Sequence, residues 1–271
     1  MMRSLWTAAS GMKSQQLNVD VISNNLANVN TIGYKKETAE FKSLLYQTIQ
    51  TETTTANGEN KPIGAQVGLG VRNSSITSDF TQGSINASNG DFDFAIDGEG
   101  FFQIMGNDGE TYYSRTGSFQ ITTAVGGVMI ADSEGRPVLD ETGQSIIFDS
   151  SVDTSKVTIS SDGEVCYPDE TNNPKPMGIK VGLVRFSNPA GLEKIGSGMY
   201  KETEASGEAT LESQMTGVKK SVLKQGYLEG SNVQVVDEMV DLIVAQRAYE
   251  MNSKAIQAAD EMMGQANSLR R

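Results

Sequence analysis

Histidine is absent from this 271-residue chain, and cysteine occurs once, at Cys166. The first absence removes Ser-His-Asp and Cys-His activation of a nucleophile, and with them every histidine-containing zinc site. The second excludes an intrachain disulfide, and a lone cysteine reads as a small core hydrophobe. No run of about eighteen apolar residues occurs, so no transmembrane helix is expected. The first residues include Arg3 but have no long apolar core, because Gly11, Lys13, Ser14, Gln15 and Gln16 interrupt it. A cleaved secretory signal is therefore not expected. Basic residues are also scarce: 22 Lys and Arg stand against 34 Asp and Glu, for a net charge of −12. A nucleic-acid partner needs clustered cations, so none is expected. The mean hydropathy of −0.34 fits a modest core under a well-solvated, acidic surface.

The two ends of the chain carry heptads. Val235, Leu242, Tyr249, Ile256 and Met263 fall seven apart, and Met239 widens the stripe at its start. A seven-residue spacing holds a stripe on one side of a helix that supercoils around a partner. Small residues, Ala245, Ala248, Ala255, Ala259 and Ala266, form a second face on which another backbone can approach closely. About 35 helical residues would reach about 50 Å, far beyond the usual globular helix. Residues 4–29 repeat the theme. Leu5, Met12, Val19 and Leu26 fall seven apart, Ala8, Ile22 and Val29 follow three behind, and Gln15 breaks the second row. An Asn-rich run to Gly33 ends this helix. The economical arrangement pairs the two helices as a coiled coil, with Gln15 and Gln246 as polar candidates for fixing register. The proposed self-assembly residues are Leu5, Met12, Val19, Ile22, Leu26, Val235, Met239, Leu242, Tyr249, Ile256 and Met263. Ser231 or Asn232 is the expected N-cap of the last helix, with Asp237 and Glu238 favourable for its dipole.

Between the helices the pattern changes. Glu37 to Thr55 suggests a short helix, and Thr51 to Gly70, rich in Thr and Gly, an extended connector. From Val71 to about Tyr200 short apolar runs alternate with turn signals, as in an antiparallel barrel or sandwich. Phe92–Ile96, Phe101–Met105, Thr111–Tyr113, Ser118–Ile121, Val128–Ala131, Val157–Ile159 and Ile179–Phe186 are the expected strands. Asp97-Gly98, Asp108-Gly109 and Asp162-Gly163 read as hairpin turns. Each is followed by Glu, but the spacing fits no EF-hand and no P-loop. The fold class is thus α+β: paired N- and C-terminal coiled-coil helices with an inserted antiparallel β-rich domain. The expected domains are 1–33 with 231–271 for the helical part, 34–75 with 204–230 as extended connector, and 76–203 as the β-rich outer domain.

Both termini also carry a resemblance. NNLANVNTIGYKK at 24–36 and VDEMVDLIVAQRAYEMNSKAI at 236–256 are similar to the axial proteins of the bacterial flagellum, its rod and hook subunits. MRSLWTAASGM at 2–12 and AQRAYEMNSKAI at 245–256 resemble the distal-rod type best, with proximal rod and hook subunits as near alternatives. FAIDGEGFF at 94–102 is similar to a glycine-aromatic segment of the same family. The resemblance implies a structural subunit that polymerises helically into the drive shaft carrying torque from motor to hook. It implies export through the flagellar type III pathway to the basal body in the cell envelope. The partners it implies are copies of itself, proximal rod and hook subunits, envelope bushing rings and the export apparatus. It also implies a stretch near residues 51–70 that lies between neighbouring subunits and stiffens the rod.

The helix pattern supports the same function by itself, since a heterologous contact that does not close propagates as a filament. An enzyme is the competing class. Asp91, Asp93, Asp97 and Glu99 are dense enough for a two-carboxylate glycosidase, but acidic residues beside glycines are usually turn formers. A secreted coiled-coil binding module or adhesin is the third class, and it predicts a discrete oligomer. The expectation is no enzyme, no cofactor and no small-molecule substrate.

Overall fold

The heptad segments at the two ends are both helical. α1 covers Met2–Ala27 and α2 covers Val235–Ser268, 34 residues without a proline. The structure, a computed structural model, describes residues 2–50, 64–124, 126–149, 152–169, 173–215, 217 and 219–269. Residues 51–63, the larger part of the expected connector at 51–70, lie outside the described residues. The chain is α+β and divides into two units. The terminal unit gathers Met1–Ala27, Glu37–Thr77 and Gln234–Arg271, and the inserted unit gathers Asn28–Lys36 and Ser78–Val233.

In the terminal unit α1 packs against α2 and against the strand Glu37–Ser43. That strand pairs with Val71–Ser78, and the ribbon Tyr46–Gln50 pairs antiparallel with Ala65–Gly68. The short helix expected within 37–55 is therefore two strands. Ala39 and Phe41 are half-buried while Thr38, Glu40 and Lys42 are exposed, a period of two that a helix cannot use. α2 begins two or three residues later than its expected caps. Its N-cap is Gln234, which makes no side-chain capping bond. Asn232 serves the inserted unit instead: its Oδ1 accepts from the Lys36 amide at 2.7 Å, and its Nδ2 donates to the carbonyl oxygen of Asp79 at 2.9 Å.

The inserted unit is built on an antiparallel six-stranded sheet in the order Glu193–Gly196, Met199–Lys201, Thr111–Ser114, Phe101–Met105, Leu183–Arg185, Thr210–Leu211. Strand alternation divides the core into two clusters. Phe102 and Ile104 join Phe94, Ile96, Phe119, Ile130 and Phe148 in one cluster, whereas Phe101 joins Tyr113, Phe186 and Tyr200 in the other. The expected run Ile179–Phe186 is broken into Pro174–Lys180 and Leu183–Arg185. Gly182 lies at the break, where a Cβ would come within 2.6 Å of the Asp140 carbonyl oxygen. Two of the three Asp-Gly pairs turn hairpins, with φ +81° at Gly109 and +84° at Gly163. Asp97-Gly98 does not: Phe94–Asp97 pairs instead with Val222–Gln225, far along the chain. Strands at Val222–Gln225 and Tyr227–Glu229 thus run through the stretch read as connector.

A buried ion trio fastens the segment after α1 into this unit. Lys35 donates to Glu229 at 2.7 Å and to the Thr81 carbonyl oxygen at 2.8 Å, and Arg115 Nη1 stands 3.6 Å from the same carboxylate. The three side chains are all but completely buried. Burial lowers the pKa of both cations, and Glu229 raises them by less. Gly33 completes the joint at φ +68°, where a Cβ would come within 2.9 Å of the Arg115–Thr116 backbone.

Candidate assembly surface

α2 has more apolar surface than α1 covers. Towards α1 it turns a row spaced by threes and fours. Val235, Leu242, Ile256 and Met263 are half-buried there, and Glu238, Ala245 and Ala259 are buried. α1 answers with half-buried Leu5, Met12, Val19 and Leu26 and with buried Ala8 and Ile22. Gln15 is half-buried, but Gln246 is exposed, because its position falls beside the row rather than in it. Of the small-residue face, Ala245 and Ala259 belong to this covered row, while Ala255 and Ala266 are exposed.

A polar contact and a close approach align the helices antiparallel. Asn25 Nδ2 donates to Glu238 Oε2 at 3.2 Å and to the Glu37 carbonyl oxygen at 2.8 Å, while its Oδ1 accepts from the Glu37 amide at 2.9 Å. One side chain from the last turn of α1 therefore holds the start of a strand and the first turn of α2. Further along, the helices approach so closely that a Cβ on Gly11 would lie 3.0–3.2 Å from the Asn252 amide.

The opposite side of α2 is bare. Val236, Val240, Ile243, Val244 and Met251 fall at helical spacing, with exposures of 73%, 54%, 58%, 61% and 66%. Met239 and Tyr249, from the predicted stripe, are 50% and 44% exposed. Arg247 lies within the row and pairs with Glu250 at 2.8 Å. An exposed apolar row of this extent marks an interaction surface on a soluble protein. The same unit exposes Trp6 on α1, Leu45 just before the ribbon, and Tyr46 and Ile49 on it.

The profile of the flagellar basal body rod FlgEFG protein C-terminal region matches residues 224–269, which contain the whole bare row. The flagellar hook protein FlgE/F/G D1 domain matches residues 95–167, and the flagella basal body rod protein profile matches residues 5–35. Over 100% of both chains, the sequence is 45% identical to the flagellar basal-body rod protein FlgG of Borreliella burgdorferi. It is 38% identical to the FlgG of Bacillus subtilis, again over 100% of both. The chain belongs to the flagellar basal-body rod protein family. A hook-basal body complex protein, FlhP of Bacillus subtilis, is 31% identical over 100% of both chains and marks the breadth of the relationship.

For a flagellar rod protein the candidate surface is thus the helical terminal unit. Three of the four carboxylates that suggested an enzyme are engaged elsewhere. Asp97 pairs with Lys224 at 2.8 Å, and that hydrogen bond holds its carboxyl below the usual carboxylate range. Glu99 pairs with Arg185, and Asp93 accepts from Ser88. Among the described residues no group of three side chains fit to hold a metal ion occurs, and no helix is long and apolar enough to cross a membrane. Reading by sevens passed over the bare row, although Val236, Val240, Ile243 and Val244 carry a signal at a period of 3.6.

Proposed function

We propose that this flagellar rod protein is the structural subunit of the distal rod, polymerising helically into the shaft that carries torque from motor to hook. The observation that carries this reading is the bare apolar row of α2, left open after α1 has covered the other face. Each buried Val or Ile contributes about 1.5–3 kcal/mol, so neighbouring subunits are the natural cover. A contact between unlike patches, repeated without closing, builds a helical tube. In this reading α1 and α2 pair as a coiled coil within 1–33 and 231–271. Leu5, Met12, Val19, Ile22, Leu26, Val235, Leu242, Ile256 and Met263 form its seam, with Met239 and Tyr249 at the rim. The β-rich region from 76 to 203 keeps its own core, and Val222–Gln225 and Tyr227–Glu229, within the stretch read as connector, pair with strands of its unit. The subunit carries load and does no chemistry. Its partners are copies of itself, proximal rod and hook subunits, and rings of the envelope around the shaft. It reaches the periplasmic part of the basal body through the flagellar export apparatus.

Basal bodies from a strain lacking this protein are expected to end in a short rod stub without a hook, as seen by electron microscopy. Full-length rods in that strain would overturn the distal assignment. The ribbon Tyr46–Gln50 with Ala65–Gly68 makes a second expectation. A two-stranded ribbon is marginal alone in water, and this one exposes Tyr46 and Ile49. Its value then lies between subunits. The backbone already pairs at its base, with Leu69 N donating to Leu45 O at 3.2 Å, so residues 46–68 can be excised cleanly. The excision is expected to leave the subunit's melting temperature unchanged and to alter rod stiffness or curvature. Rods of equal straightness with and without it would refute the intersubunit role.

A further inference from the structure

We propose that the contacts of Gly11 with Asn252 and of Asn25 with Glu238 form a two-point register lock, each point excluding a one-heptad slip of α1 along α2 in one direction. The two contacts lie fourteen residues apart on each helix, so they describe one antiparallel alignment. They sit on a ladder whose α2 members, Glu238, Ala245, Asn252, Ala259 and Ala266, fall seven apart. In that alignment the α1 members, Ser4, Gly11, Asn18 and Asn25, face Ala259, Asn252, Ala245 and Glu238 in turn. Large apolar side chains at heptad spacing specify the face but not the register, because a slip of one heptad returns apolar residues to apolar neighbours. The polar ladder removes that degeneracy. In one direction Asn25 would come opposite Ala245, and Glu238 would pass beyond Ala27, the last residue of α1. Its buried carboxylate would lose the Asn25 donor, a large cost in a site shielded from water. In the other direction Asn18 could serve Glu238, so this point gives no protection. There Ser4 would replace Gly11 opposite Asn252. Even a bare Cβ on Gly11 is at 3.0–3.2 Å, so a serine side chain there would displace the Asn252 amide.

A slip of one heptad moves the bare row of α2 by about 10 Å against the rest of its unit. For assembly this matters only if that row is the intersubunit contact, so the functional consequence rests on the proposed function, while the lock itself does not. The test uses the full-length chain with Cys166→Ser. Ser4→Cys with Ala259→Cys reports the native register, and Ser4→Cys with Ala266→Cys reports the slip that parts Glu238 from Asn25. Intrachain disulfides are read as monomeric bands on non-reducing gels and located by mass spectrometry, on purified protein and on isolated rods. With Asn25 and Glu238 intact, only the first pair is expected to close. Adding Glu238→Leu is expected to raise the second product severalfold, to a level comparable with the first, and Glu238→Gln, which keeps an acceptor for Asn25, to restore the native pattern. A merely stabilising role would lower both products together. Equal closure of both pairs in the presence of the lock, or no gain of the second with Glu238→Leu, would overturn the proposal. Slipped Glu238→Leu protein that still builds normal rods would leave the lock standing and refute the assembly reading of the bare row.

Discussion

A Val240→Asp, Val244→Asp double variant is expected to fold normally and to build no rods. Both side chains are more than half exposed in the subunit, so the substitutions remove little that the monomer buries. Exposed substitutions of this kind usually change stability by about 0.5 kcal/mol or less. In the filament the same positions must be desolvated against a neighbour. Each carboxylate then loses its water without gaining a partner, at several kcal/mol, and the apolar burial of two valines is lost as well. The penalty recurs at every interface, so the expected outcome is a non-motile strain with stable, soluble subunit. Circular dichroism with thermal melting on the purified variant checks the first half, and swarming with electron microscopy of basal bodies checks the second. Leu242→Asp separates the two faces of α2. Leu242 is half-buried on the side of α1, so this variant is expected to loosen the helix pair itself while leaving the inserted unit folded. Normal rods from the double variant would show that the bare row is not a subunit contact.

What the sequence made legible was local and periodic. Leu5, Met12, Val19 and Leu26, like Val235, Leu242, Ile256 and Met263, repeat every seven residues, and a helix turns that repeat into one face wherever it packs. Phe101–Met105 was readable because its alternating side chains serve two core clusters at once. Asp108-Gly109 and Asp162-Gly163 were readable because a hairpin is settled by its own turn. The misreadings share a cause, which is that distant segments decide them. Asp97-Gly98 looks like its two counterparts, yet Phe94–Asp97 pairs with Val222–Gln225. Asn232 looks like a helix cap, yet its amide is taken by Lys36 and Asp79. Asn25 looks like part of a turn, yet it lies in the last turn of α1 and binds Glu37 and Glu238. The bare row of α2 was hidden for a different reason: a heptad is a subset of helical positions, and stepping by sevens discards the rest.

Glu229→Gln is expected to destabilise the inserted unit by about 3–5 kcal/mol, the usual cost of stripping one partner from a buried ion pair. In the native protein one carboxylate answers two buried cations, Lys35 at 2.7 Å and Arg115 at 3.6 Å. Arg115 Nη2 also donates to the Gly98 carbonyl oxygen at 2.6 Å, and its guanidinium lies 5.4 Å from the centre of the Phe101 ring. These contacts hold the arginine in place but do not neutralise it. Removing the charge of Glu229 leaves two cations facing each other in a site closed to water, so the melting temperature should fall by on the order of 10 °C. The pH dependence distinguishes this cause from a simple packing defect. Burial already holds the Lys35 pKa below the ordinary 10.5, with Glu229 pulling it up and Arg115 pushing it down. In the variant the pull of Glu229 is gone and only the weaker one of Asp79 remains, so the folded-state pKa of Lys35 drops further. A lysine whose folded pKa lies below its unfolded one carries its full burial cost at low pH. It sheds that cost as pH rises through the folded pKa towards the unfolded value, because over that window the unfolded chain binds more protons. The window opens at lower pH in the variant than in the parent. The stability gap between them should therefore be large near neutral pH and narrow under alkaline conditions, as Lys35 loses its proton in the variant first. Lys35→Met removes the titrating group, so the gap between Lys35→Met and Lys35→Met with Glu229→Gln should not change across the same range. Urea unfolding at a series of pH values measures all four proteins. A constant gap for Glu229→Gln alone would show that the trio is held by packing rather than by charge.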